Sequence, residues 1–269
     1  MNDNADQRDY WTAQTTWVAY QDSMDQNLAP VLDLVLSRAN LAPGQRVLDI
    51  GCGTGASLLA ASAQVGPEGH VTGVDISPSL LALAAERTAA HDNITVKEAD
   101  AAAGDLNGPH DALISRFGVM FFSDTTAAFA HIRTALKPGA PLTFATWAPP
   151  MHNPYFMRPA QAAQKVLGEM PKADRTLPGP FAMEDPNRTI PMLEAAGRSI
   201  VACDPVSVHL TPPDDVKQAV ELCMNIGPPK QAMAYFEADD AAIARVEAAI
   251  EGVIAEFKTA DGIRIPALI

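Results

Sequence analysis

The stretch Val47-Leu48-Asp49-Ile50-Gly51-Cys52-Gly53-Thr54-Gly55 decides how this chain is read. Arg46 to Ile50 form a short apolar run, broken only by Asp49, that leads directly into a turn rich in glycine. Glycine lets the backbone turn sharply and lets a ligand approach with no Cβ in the way. A helix opening after such a turn presents N–H groups to a carboxylate or phosphate. Gly51, Gly53 and Ala56 also meet the spacing of a dinucleotide fingerprint. Asp49 separates the possibilities. A carboxylate two residues before the first glycine repels a pyrophosphate and suits a ligand that carries ammonium or sulfonium charge.

Outward from this turn the chain alternates strands and helices. His70–Asp75 reads as a strand, and Ser77-Pro78 opens a helix with an N-cap and a proline in its first position. Residues 93–99 and 111–116 read as further strands. Asp124 caps a helix striped by Phe129, Ile132 and Leu136, which Lys137-Pro138-Gly139 stops before a fifth strand at 141–147. Upstream, Leu28, Val31, Leu32, Val35 and Leu36 have helical spacing. Downstream, 150–183 is rich in Pro and Met and is expected to hold at most one short helix. A helix from Asp185-Pro186 ends near Gly197, and Pro191 should distort it. A strand at 199–209, two helices and a last short strand at 262–269 complete the reading. Strands separated by helices argue for a parallel, doubly wound sheet.

Two more acids fall at strand ends. Asp75 lies about 20 residues beyond the glycine turn, where a carboxylate accepts from both ribose hydroxyls. Asp100 follows the third strand and is placed to accept from an adenine amino group. Ligands of open α/β sheets bind at the carboxyl ends of the strands, so Asp49, Asp75 and Asp100 converge on one crevice.

Together these residues resemble the class I S-adenosylmethionine-dependent methyltransferases over roughly residues 40–150. VLDIGCGTG looks like the first motif of that family, VTGVDIS like the second and EADA (98–101) like the third. Within the family the chain looks nearest to the branch containing quinone-biosynthesis C-methyltransferases. The resemblance implies a Rossmann-like methyltransferase fold with seven mostly parallel strands and helical cap insertions. It implies S-adenosyl-L-methionine as cofactor, held by Asp49, Gly51, Cys52, Gly53, Gly55, Asp75, Ile76, Asp100, Ala101, Ser115 and Phe117. It implies methyl transfer by in-line displacement, without a metal. The Asn/Asp-Pro-Pro-aromatic tetrad of nucleic-acid amino-methyltransferases is replaced here by SRFGVMFF, and Asn153-Pro154-Tyr155 falls after the wrong strand.

Composition bounds the partners. The chain has 269 residues, 48% of them hydrophobic, enough for one α/β domain with a sizeable core. Its parts are expected to be an N-terminal helical cap at 1–40, a cofactor-binding core at 41–150, and substrate-cap insertions at 151–183 and 211–260. A net charge of −13 argues against nucleic acid and anionic membrane as partners. Cys52, Cys203 and Cys223 form no CxxC pair, and no apolar run is long enough to span a bilayer. With a polar, acidic start, this points to a soluble cytoplasmic protein acting on a small molecule, with a homodimer open.

Two residues are candidates for the chemistry. His152 follows the fifth strand at the ligand edge, and its titration range suits a general base; an ordinary loop histidine is the plainer reading. Arg116 ends the fourth strand and either orients an anionic substrate or pairs with an acid. His131 reads as solvated, and Cys52 as packing in a tight turn. Apolar, Met-rich segments after the fifth strand suit an apolar or aromatic methyl acceptor, with O, N, S or C as the atom methylated. The alternatives are a nicotinamide-dependent oxidoreductase on the same glycine turn and a cofactor-binding scaffold without turnover.

Overall fold

The computed structural model describes residues 4–269. In chain order it contains α1 (Ala5–Thr12), α2 (Thr15–Ala19), α3 (Gln21–Ala39), β1 (Arg46–Ile50), α4 (Ala56–Val65), β2 (His70–Asp75), α5 (Pro78–Thr88), β3 (Ile94–Glu98), β4 (Ala112–Arg116), α6 (Thr125–Thr134) and β5 (Leu142–Ala145). Then follow α7 (Pro154–Leu167), α8 (Pro186–Ala195), β6 (Ser207–Leu210), α9 (Val216–Asn225), α10 (Pro228–Tyr235), α11 (Asp240–Ala255), β7 (Lys258–Thr259), β8 (Gly262–Ile263) and β9 (Ile265–Leu268). The residues fall into two compact units.

The first unit takes in residues 4–18, Val31–Trp147 and Arg175–Asp204. Its centre is a parallel sheet in the order β3-β2-β1-β4-β5. β1 lies in the middle, with Asp49 opposite Gly73 of β2 on one side and Ile114 of β4 on the other. Val47, Leu48, Asp49 and Ile50 are all buried, as expected of a strand covered on both faces. Leu58 of α4 and Phe129 and Ile132 of α6 are fully buried, each contributing about 1.5–3 kcal/mol through burial. Caps act where the sequence places them: Ser77 accepts from Leu80 N and Asp124 from Ala127 N. The strand order reverses beside β1, and in open α/β sheets ligands bind at such a reversal, outside the carboxyl ends of the strands.

The second unit comprises Ala19–Pro30, Ala148–Asp174 and Pro205–Ile269. Tyr155, Ala162 and Ala163 of α7 are buried, together with Val246, Ile250 and Ile254 of α11 and Leu222 of α9. Asp215 and Asp239 cap α9 and α11. No helix among the described residues is long and apolar enough to cross a membrane.

Four sequence expectations change. The main sheet has five strands among the described residues, not seven. β6 and β9 pair antiparallel with each other in the second unit. The strand expected at 199–209 shrinks to Ser207–Leu210 because Pro205 lacks a donor and restricts Asp204. Residues 150–183 hold the full helix α7, which Pro154 starts in a tolerated first position and which absorbs Pro159 inside. His131 is half-buried rather than fully solvated: its Nε2 donates to Gly104 O at 2.8 Å.

Candidate active site

β1 ends one residue after Asp49, so this carboxylate lies inside the sheet rather than at its rim. Asp49 is fully buried, and its Oδ2 accepts from Ser57 Oγ at 2.5 Å, across the glycine turn on α4. Its Oδ1 is buried with no hydrogen-bond partner among the described residues. Burial pushes the carboxyl up to about 7, with the Asp75 charge adding to the rise and the Ser57 hydrogen bond and the Arg116 charge opposing it. A carboxylate kept in such a place is a strong point of attraction for a cation.

The glycine turn is closed by its own backbone. Gly51 N and Cys52 N both donate to Val74 O, and Gly55 N donates to Cys52 O. Gly53 N donates to Asp75 Oδ2 at 2.9 Å. The amides of Gly51, Cys52, Gly53 and Gly55 therefore build the turn rather than standing open to a ligand. Gly51 has a φ of +69°, and a Cβ there would lie 2.6 Å from Gly118 Cα, so no side chain fits. Gly53 also has positive φ (+54°), yet nothing lies within 4 Å of its Cβ position. That open side faces space a ligand can take. Cys52 is buried, and burial followed by the Asp75 and Asp49 charges drives its thiol well above the usual range. It stays protonated and packs, as read from the sequence.

Asp75, the last residue of β2, is fixed at both oxygens: Oδ1 accepts from Ser77 N and Oδ2 from Gly53 N, each at 2.9 Å. Each oxygen keeps a second lone pair for a further donor. Burial raises this carboxyl too, against the hydrogen bonds from Ser77, Gly53 and Ile76 backbone. Ile76 is half-buried, and Ala101 is buried. Asp100 sits close by, since Ala99 N donates to Asp75 O at 3.0 Å. Its Oδ1 accepts from Ala102 N and from Asn4 Nδ2.

The β4 side completes the crevice. Ser115 Oγ donates to Ile50 O at 2.7 Å and accepts from Gly118 N at 3.1 Å, so this hydroxyl clamps the turn after β4 against β1. Phe117 adopts φ +69°, a left-handed conformation that is strained for an aromatic residue. Its ring stacks on Trp147 with centroids 4.2 Å apart and planes 7° from parallel. Arg116 is half-buried and near enough to Asp49 to hold down its titration. His152 belongs to the second unit, is exposed, and its imidazole makes no hydrogen bond among the described residues.

The structure thus brings Gly51, Gly53, Asp75, Asp100 and Arg116 to the carboxyl ends of the strands, with Asp49 just inside that edge. Residues not anticipated are Ser57, Gly118, Trp147, Asn4 and Arg87, whose Nη1 donates to Thr54 O at 2.6 Å and steadies the turn. The glycine in Ser115-Arg116-Phe117-Gly118 was the available signal for Gly118. Asn4 left none.

Residues 47–139, roughly a third of the chain, match the family described as a methyltransferase domain. A demethylmenaquinone methyltransferase of Staphylococcus aureus is 33% identical over 106 residues, which are 39% of this chain and 44% of the relative. The chain thus spans less than half the length of the curated relatives it matches. Among solved structures, phosphoethanolamine N-methyltransferase 2 of Haemonchus contortus, in complex with S-adenosyl-L-methionine, is similar with a TM-score of 0.56 and 18% identity. That match covers 97% of this chain and 58% of the other. The YcgJ protein of Bacillus subtilis gives a TM-score of 0.54 at 17% identity over 88% of this chain and 93% of that one. At such identities the structural likeness speaks for the fold alone. The chain resembles the class I S-adenosylmethionine-dependent methyltransferases through its glycine-turn domain, with the quinone methyltransferases among its relatives, as its motifs indicate.

Proposed function

We propose that this protein transfers the methyl group of S-adenosylmethionine to a small apolar or aromatic molecule. The observation that carries the reading is Asp49: a buried carboxylate with an unpartnered oxygen beside an open glycine turn. Such a group suits the ammonium of a methionine moiety and opposes a pyrophosphate. In this reading Asp75 accepts from the ribose hydroxyls, Asp100 from the adenine amino group, and Ile76 and Ala101 lie along the base. Ser115 and Phe117 shape the methionine end. When bound, the cofactor supplies an activated methyl group on a sulfonium for in-line displacement by the acceptor.

The chain's own contribution is positioning and exclusion of water. Asp49 and Asp75 orient the cofactor. The Phe117–Trp147 stack, close to the ends of β4 and β5, supports a planar, apolar acceptor. Arg116 orients the acceptor or tempers Asp49. His152, placed after β5 in sequence, takes the proton that a hydroxyl, amine or thiol acceptor releases, and the segments 151–183 and 211–260 select the acceptor. We further read the sheet as doubly wound, because right-handed crossovers through α4 and α5 on one side of β1 and α6 on the other put these helices on opposite faces. The net charge of −13 supports a non-nucleic-acid acceptor and solubility; a cytoplasmic location and a homodimer are compatible with this reading.

The test is calorimetric titration with S-adenosylhomocysteine and NADH side by side, followed by transfer of radiolabelled methyl to thiols, phenols, amines, quinols and RNA. Binding of the adenosyl compound alone, with label reaching a small acceptor and RNA at background, is expected. A folded protein that ignores S-adenosylhomocysteine refutes the reading.

A further inference from the structure

Asn4 stands just ahead of α1, and its side chain is spent inside the cofactor edge of the sheet. The residue is 5% exposed. Its Nδ2 donates to Asp100 Oδ1 at 3.0 Å, and its Oδ1 accepts from Ser123 N at 3.1 Å and Ser123 Oγ at 2.8 Å. Asp100 Oδ1 accepts a second hydrogen bond, from Ala102 N at 2.9 Å. Oδ2 of Asp100 accepts none among the described residues. Two donors on one oxygen thus fix the plane of the carboxylate and leave the other oxygen for a ligand.

The rest of α1 is fastened around the same edge. Arg8 Nη1 pairs with Glu98 Oε1 at 2.8 Å, Trp11 O accepts from Ser77 Oγ at 3.1 Å, and the Trp11 ring meets Phe121 edge to face at 5.0 Å. Ser77 follows β2, Glu98 ends β3, and Phe121 and Ser123 follow β4. Asn4 is therefore delivered to Asp100 by a helix fastened at the ends of β2, β3 and β4.

We propose that Asn4 is a positioning residue which, by holding Asp100, makes the site selective for a 6-aminopurine nucleoside over its 6-oxo counterpart. This rests on the reading of Asp100 as the partner of the adenine amino group. The amino group of a 6-aminopurine donates to a carboxylate. A 6-oxopurine presents a carbonyl at that position, and two acceptors repel. Repulsion discriminates only if the carboxylate is kept from turning away. Rotation of Asp100 breaks its bonds to Asn4 and Ala102, so the clamp holds the acceptor in place. Without Asn4, Asp100 swings more freely, binds the amino group less well and tolerates the carbonyl better.

The experiment titrates S-adenosylhomocysteine and S-inosylhomocysteine into the parent protein, Asn4→Ala and Ser123→Ala, with melting curves for each. The parent should prefer the adenosyl compound by about tenfold or more. Asn4→Ala should narrow that preference by about threefold or more, mainly through weaker adenosyl binding. Ser123→Ala removes one anchor of the Asn4 amide and should move the ratio the same way by less. Equal weakening of both ligands, or an unchanged ratio, overturns the proposal; if Asn4→Ala does not fold, Ser123→Ala decides it. A parent protein that binds no S-adenosylhomocysteine instead overturns the cofactor reading on which this proposal rests.

Discussion

Lowering the pH from 7.5 to 6 should weaken S-adenosylhomocysteine binding by roughly eightfold, and Asp49 should be the reason. In the ligand-free protein Asp49 titrates at about 7, because burial outweighs the help of Ser57 and Arg116. An ammonium beside the unpartnered Oδ1 favours the ionised form and pulls the bound-state value down. Protons and ligand then compete for one carboxylate, so affinity is retained above 7 and lost as pH falls through it. At pH 6 about nine-tenths of the free protein carries the proton, which produces the stated loss if the bound value lies at 5 or below. Near pH 7 binding should release about half a proton, measurable by calorimetry in buffers of different ionisation enthalpy.

Asp49→Asn should flatten this pH profile and weaken binding at pH 7.5 by one charge-assisted hydrogen bond, about 1.5–3 kcal/mol. The same variant should make the ligand-free protein more stable at pH 7.5. The folded value of Asp49 is raised above its ordinary 3.8, so burial penalises the ionised form. That penalty is absent below the unfolded value, grows as pH rises towards 7, and reaches at most about 4 kcal/mol. A group that burdens the fold and aids the ligand is the signature of a binding residue. Affinity that does not vary between pH 6 and 7.5, or a variant that binds like the parent, would refute this account of Asp49.

Asp75→Ala should lower S-adenosylhomocysteine affinity by at least about tenfold, since ribose hydrogen bonds to a carboxylate are worth about 1.5–3 kcal/mol each; unchanged calorimetry in a folded variant removes the ribose assignment. Gly51→Ala should lose about 2 kcal/mol or more of stability in denaturant titrations, because its Cβ would strike Gly118, while Gly53→Ala should keep most stability and lose ligand affinity instead. The reverse pattern would mean that the open side of Gly53 is not the ligand's side. His152→Asn should spare cofactor affinity and cut turnover by roughly 10²-fold, whereas Arg116→Ala should raise KM for an anionic acceptor; parental kinetics in both variants would reduce the site to positioning alone.

Much of the site was legible because its residues act locally. Asp49, the glycines and Asp75 lie on one strand–turn–helix–strand unit, where spacing along the chain nearly fixes spacing in space. The Ser77 and Asp124 caps follow the same logic, needing only a backbone N–H three residues on. What sequence could not supply is which hydrogen bonds are already taken. The loop amides look open in one dimension, yet Val74 O and Asp75 consume them once β2 lies alongside β1. Ser115 reads as a lining residue until its hydroxyl is seen to span Ile50 and Gly118.

The second half was harder for a different reason. Pro266 sits inside β9, Pro205 precedes β6, and α7, α8 and α10 begin with prolines, so the same residue argues for opposite outcomes. Pro154 starts α7, while Pro205 keeps the expected sixth strand from extending. Position relative to the first turn decides between these roles, and that depends on tertiary contacts such as Asn153 Nδ2 donating to Ala148 O and Leu268 O. Asn4 is the extreme case. It has no periodicity, no motif and a partner 96 residues away, and its role emerges only when the sheet brings Asp100 to it. Residues that bind through a local turn announce themselves in sequence; residues that hold the binders in place do so only in the fold.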